Sequence, residues 1–294
     1  MAGFSNSAWA TRGFIPTQHE EANWLKEMEP AKRIEVRQIV SERLIELRGR
    51  RLPRLLMPDH ARYVHKSLFS RLHWGDGDYR GTPVGEGGPL VPGAAGPKTV
   101  AAIARQMHDI FLNLRSQNYL AGQTKVEFAI QEANLILQMI TVRPFYYGNL
   151  LVAKVIGEHV AENAGFKLDL LNVPPPRVYA AIDDAHSKGD HWTLRNLVRD
   201  QSRPQAGILF EAAIKSGDWS RIHDHPRMQP AYNLLLEAVG GNVARTRIAD
   251  QQWTPRERII IGRIQTELDA GRLREAPTGS DRDWYFGRSR SPDL

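Results

Sequence analysis

The 294-residue sequence contains no cysteine, which excludes disulfide bonds, thiolate metal sites and a cysteine nucleophile together. It has no apolar run near the roughly 18 to 20 residues that a membrane-spanning helix needs. The first residues lack the basic and long apolar segments of a secretory signal. These absences predict a protein of the bacterial cytoplasm that does not bind membranes, with export by a specialised secretion system left open.

The charge is positive but dispersed, with a net value of +6 and a pI of about 9.6. The densest basic stretch, residues 48–54, is interpreted as the solvated end of a helix rather than a phosphate contact. Nucleic acid is therefore not the expected partner. His223 and His225 lack a third ligand at a fixed spacing, so no metal site is predicted.

Hydrophobic periodicity predicts a series of helices. The first begins at Pro30, and Pro58 and Asp59 start the second. A loop rich in glycine and proline follows over residues 74–93, and we expect turns or a short hairpin there. The segment 126–140 is apolar nearly all round, which is typical of a buried central helix. Further helices are predicted near these ranges: 98–120, 150–163, 178–186, 191–200, 206–215, 228–239 and 255–270.

The order of these pieces resembles the Fic (Fido) fold. The stretch 64–69 is similar to the helix that precedes the flap of that family, and Gly77-Asp-Tyr-Arg80 is similar to the start of the flap itself. Residues 143–154 are similar to the family's active-site motif, His-Pro-Phe-x-(Asp or Glu)-Gly-Asn-Gly-Arg-x-x-Arg, and residues 178–190 are similar to its closing helix. The resemblance covers about 35–200 and implies an all-α, Fic-type helical bundle with a small β-hairpin flap and extra C-terminal helices.

The stretch keeps the residues that shape the motif turn but lacks those that carry its catalytic groups. Pro144, Phe145, Gly148 and Asn149 stand where the family has them. Arg143 occupies the position of the general base, and an arginine stays protonated. Tyr147 replaces the carboxylate that holds magnesium, and tyrosine is a poor ligand for that ion.

The changes continue at the start of the next helix. Leu150 replaces a glycine and Leu151 an arginine, while Lys154 keeps a positive charge. Loss of a general base alone commonly costs about 10²- to 10⁴-fold in rate. The resemblance therefore implies a pseudoenzyme of the adenylyltransferase (AMPylation) type, with no catalytic residue and no cofactor.

Two interpretations of the motif turn remain open. Gly148 and Asn149 form either a turn with an N-cap asparagine, or an anion site completed by Arg143 and Lys154. The first favours a degenerate Fic-like protein that binds another protein as a regulator, adaptor or effector. The second favours a nucleotidyl- or phosphoryl-group transferase with a rebuilt site, in which Tyr79 and Arg80 of the flap also face a phosphate and ATP with Mg²⁺ binds.

The predicted domain division has four parts: an N-terminal arm over 1–29, a Fic-like core over 30–204, a helical extension over 205–276 and a flexible tail over 277–294. The extension has no place in the minimal fold, so we expect it to contact the protein partner. Whether the chain forms a homo- or hetero-oligomer is left open.

Overall fold

The computed structural model describes residues 30–49, 56–72, 77–80, 99–145, 148–221, 225, 228–247, 252–273 and 284–286. The predicted arm, most of the predicted flap loop, Tyr147 and His223 lie outside this part of the chain. None of the described helices is long and apolar enough to cross a membrane.

The first half of the chain forms α1 (Pro30–Gly49), α2 (Pro58–Phe69), α3 (Val100–Ser116), α4 (Lys125–Val142) and α5 (Asn149–Ala164). Short 3₁₀ turns follow α2 and α3, at Ser70–Leu72 and Asn118–Leu120. The second half forms β1 (Phe166–Leu168), α6 (Pro175–Ser187), α7 (Trp192–Gln201), β2 (Ser202–Pro204), α8 (Gln205–Ser216), α9 (Met228–Ala238), α10 (Val243–Thr246) and α11 (Pro255–Asp269).

Helix starts follow the local chemistry of the sequence. Proline occupies the first turn of α2, where its missing N–H leaves no hydrogen bond unmade. The hydroxyl of Thr99 accepts the N–H of Ala102 at the start of α3. A capping box joins Thr254 and Glu257 at the start of α11, with both reciprocal hydrogen bonds made.

The all-α fold class is confirmed. The two strands described, β1 and β2, pair with each other and lie far along the chain from the predicted flap. Residues 81–98, which contain most of the flap loop, lie outside the described ranges.

The chain divides into two compact units, and the first comprises residues 1–121, 129–163 and 168–201. Its most buried element is α5, in which residues 150–156 are all buried. Most of α4 between residues 128 and 140 is buried as well, as predicted, although Val126 is 57% exposed and Gln138 is also exposed. Apolar composition did not separate the two helices, because solvent still covers one side of α4.

The second unit comprises residues 122–128, 164–167 and 202–294. Helices α8, α9 and α11 pack around Phe210, Leu235, Trp253 and Ile264. The predicted boundary at 204/205 is near the start of its longest segment, but two short pieces of the predicted core also belong to this unit. They pair with it through the backbone, since Lys125 N–H donates to the carbonyl of Ala270 (3.1 Å) and Gln205 N–H donates to that of Gly165 (2.9 Å).

The predicted flexible tail differs from the structure at 284–286. Tyr285 is only 5% exposed and belongs to the core of the second unit. The guanidinium of Arg263 donates to the carbonyls of Trp284 and Tyr285 and lies 5.4 Å from the ring centroid of Trp284. An aromatic triplet in a polar stretch therefore packs because it supplies apolar area that the neighbouring residues lack.

Candidate functional site

The turn between α4 and α5 is closed by the side chain of Asn149. Its Oδ1 accepts the N–H of Phe145 at 2.9 Å, and its Nδ2 donates to the carbonyl of Phe145, also at 2.9 Å. Both ends of the amide are thereby used within the turn. This arrangement is the structural role that an asparagine at a helix start predicts.

Gly148 is required by conformation and by space. Its φ of +70° lies in the left-handed region, and a Cβ built on it would lie 2.4 Å from the ring of Phe69. No side chain fits there unless α2 moves. The glycine thus allows α2 to approach the motif turn.

Phe145 anchors the turn in the core of the first unit. It is 1% exposed and stacks on the ring of His65 with centroids 4.0 Å apart and an interplanar angle of 14°. The ring of Tyr79 is tilted against that of Phe145, with centroids 5.9 Å apart. The flap start and α2 therefore meet at the phenylalanine of the motif.

Arg80 is used to hold the end of α4. It is 2% exposed, and its Nε donates to the carbonyl of Arg143 at 2.6 Å while Nη2 donates to that of Val142 at 3.4 Å. Its backbone N–H donates to the carbonyl of Pro144 at 3.0 Å. A cation at a helix C-terminus satisfies carbonyls that have no intrahelical partner.

Arg143, which the sequence comparison aligns with the general base of the family motif, has an unusual backbone conformation. Its φ is +47°, which is uncommon for a residue with a side chain and marks local strain. The positive charge of Arg143 also acts on His186. Burial is the main cause that lowers the pKa of His186, and the charges of Arg143 and His191 lower it further. Nε2 of His186 lies 3.0 Å from the hydroxyl of Thr141.

Lys154 does not face an open site. It is 1% exposed, and its Nζ donates to the carbonyl of Val173 at 3.1 Å. Leu150 and Leu151, at the start of α5, are 3% and 4% exposed. The first turns of α5 are thus packed with apolar side chains and a buried, hydrogen-bonded lysine.

The start of the flap is fastened to α2 by Arg62. Its Nε donates to the carbonyl of Gly77 at 3.1 Å and its Nη2 to the carboxylate of Asp78 at 2.7 Å. The guanidinium also lies 5.6 Å from the ring centroid of Tyr79. Burial raises the pKa of Tyr79 to about 12, and its hydroxyl makes no hydrogen bond to any residue that the structure describes.

The structure gathers Tyr79, Arg80, Arg143, Gly148 and Asn149 around one turn, and places Lys154 against Val173. The sequence did not identify the contacts of His65 and Phe69 with this turn, or those of Arg62 with the start of the flap. The sequence feature that indicated a packed surface there was the apolar side of α2, on which Phe69 lies. Among the described residues no group of three or more His, Asp or Glu side chains is placed to hold a metal ion.

Solved structures resemble this chain in fold. The N-terminal Fic domain of a VirB-translocated Bep effector from Bartonella quintana matches with a TM-score of 0.54 and 22% identity, over 63% of this chain and 89% of that one. BepC from Bartonella tribocorum, solved with AMPPNP, matches with a TM-score of 0.52 and 22% identity over 62% and 88%. The Fic domain of Bep5 from Bartonella clarridgeiae gives 0.50 and 26% over 63% and 88%.

No protein-family model matches the sequence, and no curated protein matches it. The helices and the motif turn form an all-α bundle with a glycine–asparagine turn before its central helix. These features and the structural matches together identify the Fic (Fido) fold, and the chain has this fold.

Proposed function

We propose that this Fic-fold chain acts by binding another protein and does not transfer AMP. The observation that carries the proposal is Arg143 at the position of the general base, since an arginine cannot accept the proton of a target hydroxyl. A protein that keeps a scaffold and loses its base retains surfaces for recognition rather than chemistry.

The surrounding groups support this proposal. The amide of Asn149 bonds Phe145, the guanidinium of Arg80 bonds two carbonyls of α4, and the ammonium of Lys154 bonds Val173. Phosphate binding would have to break these internal hydrogen bonds. Each break would leave a buried polar group unsatisfied, at a cost of about 1–3 kcal/mol.

The alternative is a nucleotidyl- or phosphoryl-group transferase with a rebuilt site, and one observation favours it. His186 has a lowered pKa and feels the charge of Arg143, so a neutral imidazole stands near the place of the lost base. In that reading Arg143 would hold a phosphate, ATP and Mg²⁺ would bind, and His186 would accept the proton.

Calorimetric titration with ATP, first with Mg²⁺ and then with EDTA, separates the two. We expect no heat of binding at millimolar ATP, and no mass increase of an AMP group on the chain or on added proteins by mass spectrometry. ATP binding that Arg143→Ala abolishes and Arg177→Ala retains, together with transfer of an AMP group, would establish the alternative. Arg177 is the matched control because it is an exposed arginine outside the turn.

A further inference from the structure

A groove in the second unit combines the features of a protein-binding surface. Its volume is about 580 Å³. None of its lining residues is buried, so it is an open groove rather than an enclosed small-molecule cavity. We name it the C-terminal groove, and it is lined by Ser216, Gly217, Asp218, Trp219, Ser220, Gln229, Tyr232 and Arg247.

Two aromatic rings form its apolar wall and are held in place from behind. The ring of Trp219 lies 5.1 Å from that of Tyr232 and packs edge-on against Phe210 at 5.6 Å. The indole N–H of Trp219 donates to the carbonyl of Thr246 at 2.8 Å. The Tyr232 hydroxyl lies 3.5 Å from Oγ1 of the same threonine, which is fully buried.

Such rings bind at low entropic cost because they are fixed before a partner arrives. Trp and Tyr are among the side chains that contribute most to protein interfaces. Their polar atoms are already used inside the unit. What remains for a partner is their half-exposed ring surface, which suits an apolar side chain.

The charges at the groove are unequal. Arg247 lines it and Arg221 follows directly after Ser220; both are exposed and make no side-chain hydrogen bond or ion pair with any described residue. Asp218 is the opposing charge, but its carboxylate accepts the N–H of Ser220 at 2.9 Å, which lowers the pKa of Asp218. The carboxylate is therefore partly satisfied within its own turn and by the charge of Arg221, while Arg247 has no side-chain partner among the described residues.

The turn that carries Arg247 is also fixed. A Cβ on Gly217, whose φ is +71°, would lie 2.3 Å from the carbonyl oxygen of Arg247. Only glycine permits this close approach between the end of α8 and the residue after α10. The backbone of Arg247 is thus held beside the aromatic wall.

We infer that the C-terminal groove binds an acidic peptide segment of a protein partner, with an apolar side chain placed against Trp219 and Tyr232 and a carboxylate against Arg247. This inference rests on the proposed function and names the surface and the partner chemistry. Arginine grips a carboxylate through two parallel hydrogen bonds, which gives direction as well as attraction.

Selection of a phage-displayed random peptide library on the whole chain tests the inference. We expect enrichment of peptides in which Asp or Glu flanks an aromatic or large aliphatic residue. One enriched peptide, synthesised and titrated by calorimetry, should bind about tenfold more weakly to Arg247→Ala and more weakly still to Arg247→Glu. Its affinity should fall as salt rises, because the contact is exposed.

Matched controls separate binding from folding. Arg258→Ala removes an exposed arginine outside the groove and should leave the affinity unchanged. Tyr232→Ala should weaken binding at least as much as Arg247→Ala, whereas Tyr232→Phe keeps the ring and should bind nearly as well. Circular dichroism should show all the arginine variants folded, since those side chains have no hydrogen-bond or ion-pair partner in the part of the chain that the structure describes.

Three results would overturn the inference: no enriched peptide, enriched peptides without acidic residues, or equal binding to Arg247→Ala. If the selected peptides bind another surface, the C-terminal groove is not the binding site, and the proposed function still stands. AMP transfer in the separate ATP experiment would remove the proposed function whatever the peptides do.

Discussion

At position 148, backbone conformation and packing both require glycine. Its positive φ and the nearby ring of Phe69 both exclude a side chain. Gly189 offers a matched comparison in the same unit, because its φ is +67° and nothing lies within 4 Å of a Cβ built there.

We predict that Gly148→Ala destabilises the first unit by about 3 kcal/mol and Gly189→Ala by about 1 kcal/mol. The difference is the clash with Phe69, since both positions share the left-handed backbone. Urea unfolding followed by circular dichroism measures both. Equal losses of stability in the two variants would mean that α2 shifts to accommodate the added methyl group without a free-energy cost.

Glu132 is the buried carboxyl group of α4. It is fully buried, faces Gly157 of α5 and makes no hydrogen bond with any described residue. Burial raises its pKa well above the ordinary value, so the neutral acid is the folded form.

A raised pKa gives stability that is complete below the unfolded value and declines as pH rises toward the folded value. We predict that Glu132→Gln becomes more stable than the wild type above pH 5, with a difference that grows by at most about 1.4 kcal/mol per pH unit. Chemical unfolding of both proteins between pH 4.5 and 8 checks this. A constant difference would show that the carboxyl group finds a partner.

At the scale of elements, a histidine pair joins α2 to α5. Nε2 of His60 lies 2.9 Å from Nδ1 of His159, and both side chains are buried. Burial lowers the pKa of His60 to about 4; burial and the charge of His60 lower that of His159 to about 3. One hydrogen bond between two neutral rings therefore links the helices.

A lowered pKa on a base gives stability that is present above the unfolded value of 6.5 and is lost as pH falls toward 4. We predict that the first unit loses stability over this window, and that His159→Met reduces the slope because its side chain does not titrate. The free energy of unfolding at pH 7, 6 and 5 gives the slopes. Parallel curves for the two proteins would contradict a role for the pair.

At the scale of the whole molecule, the second unit is built from three separate stretches of chain. The ring of Phe128 stacks on that of Phe166 at 4.3 Å, and Nε2 of Gln205 donates to the carbonyl of Phe166 at 3.2 Å. A cut at 204/205 would remove both rings, β1 and β2 from this unit.

We predict that a fragment of residues 205–294 is less stable than the same residues in the full chain. Hydrogen exchange with mass spectrometry should show faster exchange in α8 and α11 of the fragment, because the contacts to 122–128 and 164–167 are missing. Equal protection would show that the extension folds alone, as the predicted division implied.

Much of the helical framework could be predicted from local chemistry. Pro58 and the Thr254–Glu257 capping box act within one turn, so their effect is visible in a few neighbouring letters. The contacts of the motif turn could not be predicted in this way. Phe69 against Gly148 and Arg80 on Val142 join residues more than sixty positions apart, and no periodicity records such pairs.

The sequence by itself determined the all-α class and the residue types at the motif turn, Arg143 among them, because side-chain chemistry and local capping need no tertiary contact. Only the tertiary structure decided that α5 is more completely buried than α4, that Lys154 turns to Val173 and that Tyr285 enters a core. Burial and hydrogen-bond partners depend on which distant segments pack together, and that choice minimises the exposed apolar surface of the whole unit rather than of any one helix.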